Sequence, residues 1–203
     1  MPAVTDSGRA TILFIEAVPD GILDTFKEIK TSEAFEERMH ITVEVEEYFP
    51  EIAARITPAS FGLLDEQAYL QTAITSIIHR PYVMENHTLI LGCGDSVFLT
   101  DPITGHGCNT ASYAAEQIYE TLLTNKEAAW DEAVSAAYWN RVKAYIVAVT
   151  EWTNAMTQPL PEHIAGLLMK AAADQQTADE IAVWFEDPIK AREAFLGNSI
   201  NPR

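Results

Sequence analysis

The chain is short of glycine, cysteine and basic residues, and each shortage narrows what it can be. Nine glycines in 203 residues leave few places where the backbone can close on a phosphate. No Gly-x-Gly-x-x-Gly occurs: Gly92-x-Gly94 runs on to Val97, and Gly105-x-Gly107 runs on to Thr110. A βαβ unit that seats a dinucleotide pyrophosphate on a helix N-terminus is therefore not expected. Cys93 and Cys108 are too few for a disulfide framework and lack CxxC spacing, which points to a reducing, cytoplasmic setting. His40, His79, His87 and His163 show no metal-ligand spacing, so no metal site is expected. Thirteen Lys and Arg against thirty Asp and Glu give a net charge of −17. The clustered cations that nucleic acid or an anionic membrane requires are missing. The opening MPAVTDSGRA has neither the basic start nor the apolar run of a secretory leader. The longest apolar stretches, residues 88–93 and 145–149, fall far short of the ~18 residues of a membrane span.

What is present describes a globular chain. Hydrophobic residues make up 48% and charged residues 21%, and the length suits one ordinary domain or two small ones with no staple needed. Residues 11–18 read as a strand closed by Pro19-Asp20-Gly21, and residues 22–30 carry apolar positions at helical spacing. Ser32 opens a Glu-rich helix whose acidic run from Glu33 to Glu47 reads as a solvated face, and a further helix over 43–55 is interrupted or bent at Pro50. Residues 61–79 read as extended, and 86–93 as a turn followed by a strand buried on both faces. Beyond that point the chain turns helical. Helices are expected over 109–123 and 127–155, then 161–173, 177–185 and 188–196. In the long one, Trp130, Val134, Ala137, Tyr138, Val142, Tyr145, Val149 and Trp152 make one apolar stripe, so its aromatics read as packing. The fold class is α+β: an amino-terminal mixed sheet with helices, then a mostly helical carboxy-terminal half.

The chemistry concentrates in LGCGDSVFLTDPITGHGCNTASYAA, residues 91–115. A strand leads to Gly94-Asp95, then to a Pro- and Gly-rich loop, then to a helix. A carboxylate at a strand end accepts hydrogen bonds from the hydroxyls of a ribityl or ribose chain, and Gly94 lets backbone approach a ligand. The loop delivers a helix whose first N–H groups, around Cys108, Asn109 and Thr110, are unpaired and favour a ligand that becomes anionic. His106, between two glycines, reads as a solvent-facing loop histidine. His79-Arg80 is a candidate contact for a cofactor phosphate. Cys108 has no resolving cysteine or base beside it in sequence, so a backbone role suits it better than a reactive thiol.

This spacing resembles the second FAD-binding motif of the flavoprotein monooxygenases: Gly-Asp, a Pro seven residues later, then Gly-x-Gly-x-Asn. The matching residues are Gly94, Asp95, Pro102, Gly105, Gly107 and Asn109. Asp101, Ala111, Ser112 and Ala115, with LQTAIT at 70–75 and IEAVP at 15–19, most resemble the oxygenase component of two-component styrene and indole monooxygenases. Phe98 is a departure, since many of the wider family carry His there. The resemblance implies FAD, reduced by a separate flavin reductase, which reacts with O₂ and passes one oxygen to an aromatic or vinyl-aromatic small molecule to give an epoxide. No protein acid or base is then required, and no catalytic side chain is expected. Cofactor-binding roles fall on Gly94, Asp95, Pro102, Gly105, Gly107, Cys108 and Asn109. Asp95 meets the ribityl or pyrophosphate region, Pro102 lines the ring, and the N–H groups of Gly107, Cys108 and Asn109 face flavin N1 and O2. By the same resemblance, residues 1–85 are a partial substrate-binding domain and 86–203 the carboxy-terminal part of an FAD-binding domain with a helical tail. With the pyrophosphate motif missing, the chain corresponds to a carboxy-terminal portion of such an enzyme, self-associating through the face the missing half would cover. FAD binding by the chain alone is then expected to be weak. The alternative is a non-catalytic truncated paralogue that binds a small apolar ligand or a partner protein.

Overall fold

The computed structural model describes residues 1–6, 8–44 and 48–197, without the side chains of 43 and 44. The chain divides into two compact units, Met1–Ala73 and Ile74–Arg203. As the sequence predicts, the class is α+β, with small antiparallel sheets and a helical carboxy-terminal half.

In the first unit, β1 (Pro2–Thr5) and β2 (Gly8–Thr11) form an antiparallel hairpin. Pairing continues one step further, where Ile12 N–H donates to the Met1 carbonyl and the Met1 amino group to the Ile12 carbonyl, both at 2.7 Å, and the strand expected over 11–18 ends there. Residues 22–30 are turns, not a helix. Asp20 takes a left-handed φ of 59° and gives its N–H to the Asp24 carboxylate at 2.7 Å, a side-chain bond that competes with helical pairing. The Phe26 carbonyl is likewise taken by Gln71 Nε2 at 2.7 Å. Helix α1 (Ser32–Glu44) starts where expected; Thr31 Oγ1 accepts the Ala34 N–H at 3.3 Å. Its inner side carries Phe35, stacked on Tyr69 at 4.4 Å, then Met39, then Thr42 bonded to the Thr25 hydroxyl at 2.9 Å. Of the acidic run, Glu33 and Glu37 are exposed as predicted and Glu36 is half-buried, while Glu46 and Glu47 lie outside the described residues. Pro50 begins a separate short helix, α2 (Pro50–Ala53), the interruption that the sequence allowed at this residue.

In the second unit, β3 (Ile77–Ile78) pairs with β6 (Phe98–Leu99), and β4 (Tyr82–Glu85) with β5 (Thr88–Leu91), both antiparallel. Asn86 and His87 both adopt positive φ, 48° and 62°, the geometry of a two-residue hairpin turn. The strand expected to be covered on both faces is therefore one arm of a hairpin with one solvated face. Ile90 and its cross-strand partner Val83 are 44% and 43% exposed, whereas Leu91 packs inward. The helices follow as α3 (Gly107–Thr124), α4 (Glu132–Met156), α5 (Glu162–Ala171), α6 (Gln175–Ala182) and α7 (Pro188–Leu196).

Helix α4 is the spine of this unit. Asp131 caps it by accepting the Ala133 N–H at 2.8 Å, and Glu132 sits at the positive end of the dipole. Its 25 residues contain neither Gly nor Pro. Of the stripe predicted from sequence, Val134, Tyr138, Val142, Val149 and Trp152 are buried and Ala137 and Tyr145 half-buried; Ile146 joins the buried side, and Trp130 lies outside the helix and half exposed. The amino-terminal half packs Tyr138, Val142 and Ile146 against Phe98 and Ala114; the carboxy-terminal end packs Trp152 against Ile164, Trp184, Ala191 and Phe195. Arg192 on α7 reaches back to Glu151 at 2.5 Å. The hydroxyl of Tyr138, fully buried, donates to the Gly92 carbonyl at 2.9 Å and ties α4 to the end of β5.

Burial, with a smaller contribution from Cys93, pushes the Tyr138 phenol well above its usual range. The folded state therefore keeps this proton where the unfolded chain loses it, and stability falls as pH rises above the unfolded value of about 10. Urea denaturation between pH 8 and 11 is expected to show that decline, with Tyr138 supplying a slope of up to about 1.4 kcal/mol per pH unit. Tyr138→Phe is expected to cost about 1–2 kcal/mol at pH 8 by leaving the Gly92 carbonyl unpaired, and to flatten the alkaline decline. An unchanged slope in Tyr138→Phe would assign the decline to other groups.

Candidate functional site

After β5 the chain enters a tight turn, Gly94–Ser96, closed by the Val97 N–H on the Gly94 carbonyl at 3.0 Å. Gly92 just before it admits no side chain, because a Cβ would stand 2.7 Å from Val97 Cγ1. Gly94 is buried with φ +63°, and a Cβ there would lie 3.4 Å from the Cβ of Ala111 on α3. The Gly-Asp pair is thus held against the first turns of α3. Asp95 is exposed, and no hydrogen bond engages its carboxylate among the described residues.

The following loop is built by its own side chains. Asp101 Oδ1 accepts the Ile103 N–H at 3.0 Å and starts the turn Pro102–Thr104; the Asp101 N–H donates to Ser76 Oγ at 3.3 Å. Thr104 is buried and its hydroxyl bonds that of Thr153 on α4 at 2.8 Å. Gly105 then reverses the chain at φ +68°, a left-handed conformation that suits glycine. Helix α3 begins at Gly107 with no side-chain cap on its first N–H groups. Pro102, Gly105, Cys108 and Asn109 are exposed, Gly107 is half-buried, and a Cβ on Gly105 or Gly107 would meet nothing within 4 Å. The loop and helix start therefore offer open, uncapped backbone donors at the positive end of an 18-residue helix.

The two halves of the motif, fifteen positions from Gly94 to Asn109 (109 − 94), meet through the Gly94–Ala111 approach. The arrangement can bind hydroxyls through Asp95 and a polarised ring edge through the α3 N–H groups. Other sequence candidates lie elsewhere. Arg80 places its guanidinium over the Tyr82 ring at 5.0 Å and donates to the Tyr82 carbonyl, so its contacts are local. Phe98, the departure from the wider pattern, is 1% exposed and packs near Trp139, which makes it a core residue. His106 corrects the solvent-facing expectation: it is 1% exposed, with Nδ1 2.9 Å from the Thr104 carbonyl and its ring against Trp152. Flanking glycines hid this, because they mark a loop and carry no signal of which side chain turns inward. An open polar cleft borders the far side of Asp101, lined by Ser76, Asn154, Thr157 and Gln158, and it includes no motif glycine. Among the described residues no cluster of three His, Cys, Asp or Glu could hold a metal ion.

The two loop glycines should respond oppositely to alanine. Gly105→Ala is expected to lose about 1 kcal/mol to its left-handed φ, although space is open. Gly107→Ala, at an ordinary helical position, is expected to be neutral or to gain up to about 1 kcal/mol. Urea midpoints of both variants check the pair; equal losses would contradict the conformational account.

Sequence comparison extends these observations. Residues 1–55 match the family described as styrene monooxygenase A putative substrate binding domain. A styrene monooxygenase StyA from a Pseudomonas species is 25% identical over 201 residues, 96% of this chain and 48% of that protein. The StyA of Pseudomonas fluorescens matches with the same identity and coverage. The chain spans about half the length of these curated relatives. The resemblance to the styrene monooxygenase branch of the flavoprotein monooxygenases, read first from residues 91–115, therefore holds across nearly the whole chain.

Proposed function

We propose that Gly94, Asp95, Pro102, Gly105, Gly107, Cys108 and Asn109 form the flavin-facing wall of a styrene/indole-type monooxygenase, of which this chain is the carboxy-terminal portion. The observation that carries the reading is the seating of Gly94 on Ala111, which brings Gly-Asp and Gly-x-Gly-x-Asn to one face. The residues fit the group. The helix start is uncapped, the glycines leave room for backbone to meet a planar ring, and Asp95 has a free carboxylate. A carboxylate accepts from hydroxyls and repels phosphate, so Asp95 suits the ribityl chain better than the pyrophosphate.

Bound and reduced, FAD supplies the chemistry that activates O₂ and yields the oxygen transferred to the double bond of an aromatic substrate. The chain's own part is to bind and orient. The N–H groups of Gly107, Cys108 and Asn109 stabilise negative charge at the pyrimidine edge of the ring. Asp95 fixes the ribityl chain and Pro102 limits the ring's movement. In this reading residues 1–85 belong to the substrate-binding portion and 86–203 to the flavin-binding portion, with reduced FAD delivered by a separate reductase. The described residues contain no parallel βαβ unit to seat the adenosine half. Affinity of the chain alone for FAD is accordingly low.

Fluorescence titration of the purified chain with FAD is expected to give a dissociation constant weaker than about 10 μM. Asp95→Ala is expected to weaken it a further tenfold or so, the value of one hydrogen bond to a charged acceptor. Tight binding with stoichiometric flavin retained on purification would overturn the view that half of the contacts are missing. Equal affinity in Asp95→Ala would overturn the placement of that carboxylate.

A further inference from the structure

The loop that carries the glycines is held by a residue to which the sequence reading gave no role. We propose that His106 is the positioning residue of this loop: a buried imidazole that donates from Nδ1 to the Thr104 carbonyl and fixes the backbone presenting Gly105 and Gly107. The purpose of the loop rests on the flavin reading above; the positioning itself is a property of this chain and is testable without flavin.

Three observations carry it. First, His106 is 1% exposed, although Gly105 before it and Cys108 two residues after it are exposed. The loop is open outside and anchored inside by this one ring. Second, Nδ1 lies 2.9 Å from the Thr104 carbonyl oxygen. A carbonyl only accepts, so Nδ1 carries a proton. Thr104 is thereby held twice, by its carbonyl to His106 and by its hydroxyl to Thr153 on α4 at 2.8 Å. Gly105 is left to turn between two fixed points. Third, the ring stands edge-on to Trp152, 5.2 Å between centroids at 74°, and lies near-parallel to Phe185 at 6.2 Å and 22°. The position thus demands a donor at the δ atom and a flat ring for an aromatic box, which histidine alone of the common side chains supplies together.

His106 Nε2 has no partner among the described residues, and neither do Trp152 Nε1 nor Thr110 Oγ1, one helical turn on.

The test uses the full chain and needs no bound cofactor. Nitrogen-15 NMR of the histidine rings at pH 7 is expected to show His106 protonated at Nδ1; the Nε2–H tautomer with a bare Nδ1 overturns the proposal. Hydrogen exchange of the Gly105 and Thr110 amides, bonded to the Pro102 and His106 carbonyls, then separates the bond from the packing. His106→Phe keeps a ring and loses the donor, and is expected to raise exchange about fivefold or more relative to α7 amides. His106→Asn keeps a donor at the δ position and loses the ring, and is expected to restore most of that protection. Wild-type protection in His106→Phe, or equal loss in both variants, overturns the role of the hydrogen bond. Should the tautomer and the exchange pattern hold while added FAD leaves these amides untouched, the positioning stands and the flavin reading fails.

Discussion

The second unit depends on one constraint, the burial of α4 from end to end. Tyr138, Val142, Ile146 and Val149 are all 0% exposed, and Trp152 is 1% exposed. A side chain of this size contributes about 1.5–3 kcal/mol when removed from water, so this one stripe supplies much of what offsets the entropy of ordering the unit. The helix serves two cores at once. Its amino-terminal half closes over Phe98 and α3, and its carboxy-terminal end closes over α5 and α7. Whatever is tied to α4 inherits its position. The Gly92 end of β5 is tied by Tyr138, and the glycine loop by Thr153 and Trp152.

That arrangement explains how an exposed, glycine-bearing loop can hold a fixed shape. Loops are ordinarily the mobile parts of a domain. Here each bend has an internal anchor: Asp101 caps the turn at Pro102, Thr104 is bonded from both sides, and His106 is buried in an aromatic box. The outward surface is left to backbone N–H groups, Asp95 and small residues. A ligand meeting that surface finds donors already oriented, which lowers the ordering cost of binding. The same economy separates roles along the motif. Gly92 is required by close packing against Val97, Gly94 and Gly105 by their positive φ, and Gly107 by neither.

Much of this was legible from residues, and the failures have physical causes. The helical half was readable because α3 to α7 are bounded by Pro, Asp and Thr signals and filled by 3.6-residue periodicity. The caps that start α4 and α7, Asp131 and Asp187, were available in the sequence as side chains preceding helical runs. The amino-terminal part misled. Residues 11–18 and 22–30 carry good local patterns, but a strand needs a partner, and a helix needs its carbonyls and N–H groups free of competing side chains such as Asp24 and Gln71. The hairpin at Asn86-His87 was readable as a turn, yet the apolar Leu89-Ile90-Leu91 suggested two covered faces where one is solvated. Within the motif, spacing gave the register of Gly94 to Asn109 and could not give His106, since burial of a loop side chain depends on Trp152 and Phe185, far away in sequence.

The central claim is that one face of this chain, from Gly94-Asp95 to Gly105–Asn109, meets a flavin. The most direct measurement is amide NMR of the labelled chain during titration with FAD to millimolar concentration, which reads weak binding and its location together. The account predicts saturable shifts at Gly94, Asp95, Gly105, Gly107, Cys108 and Asn109. Unmoved amides at these positions, or shifts confined to the cleft between Ser76 and Gln158, would contradict it.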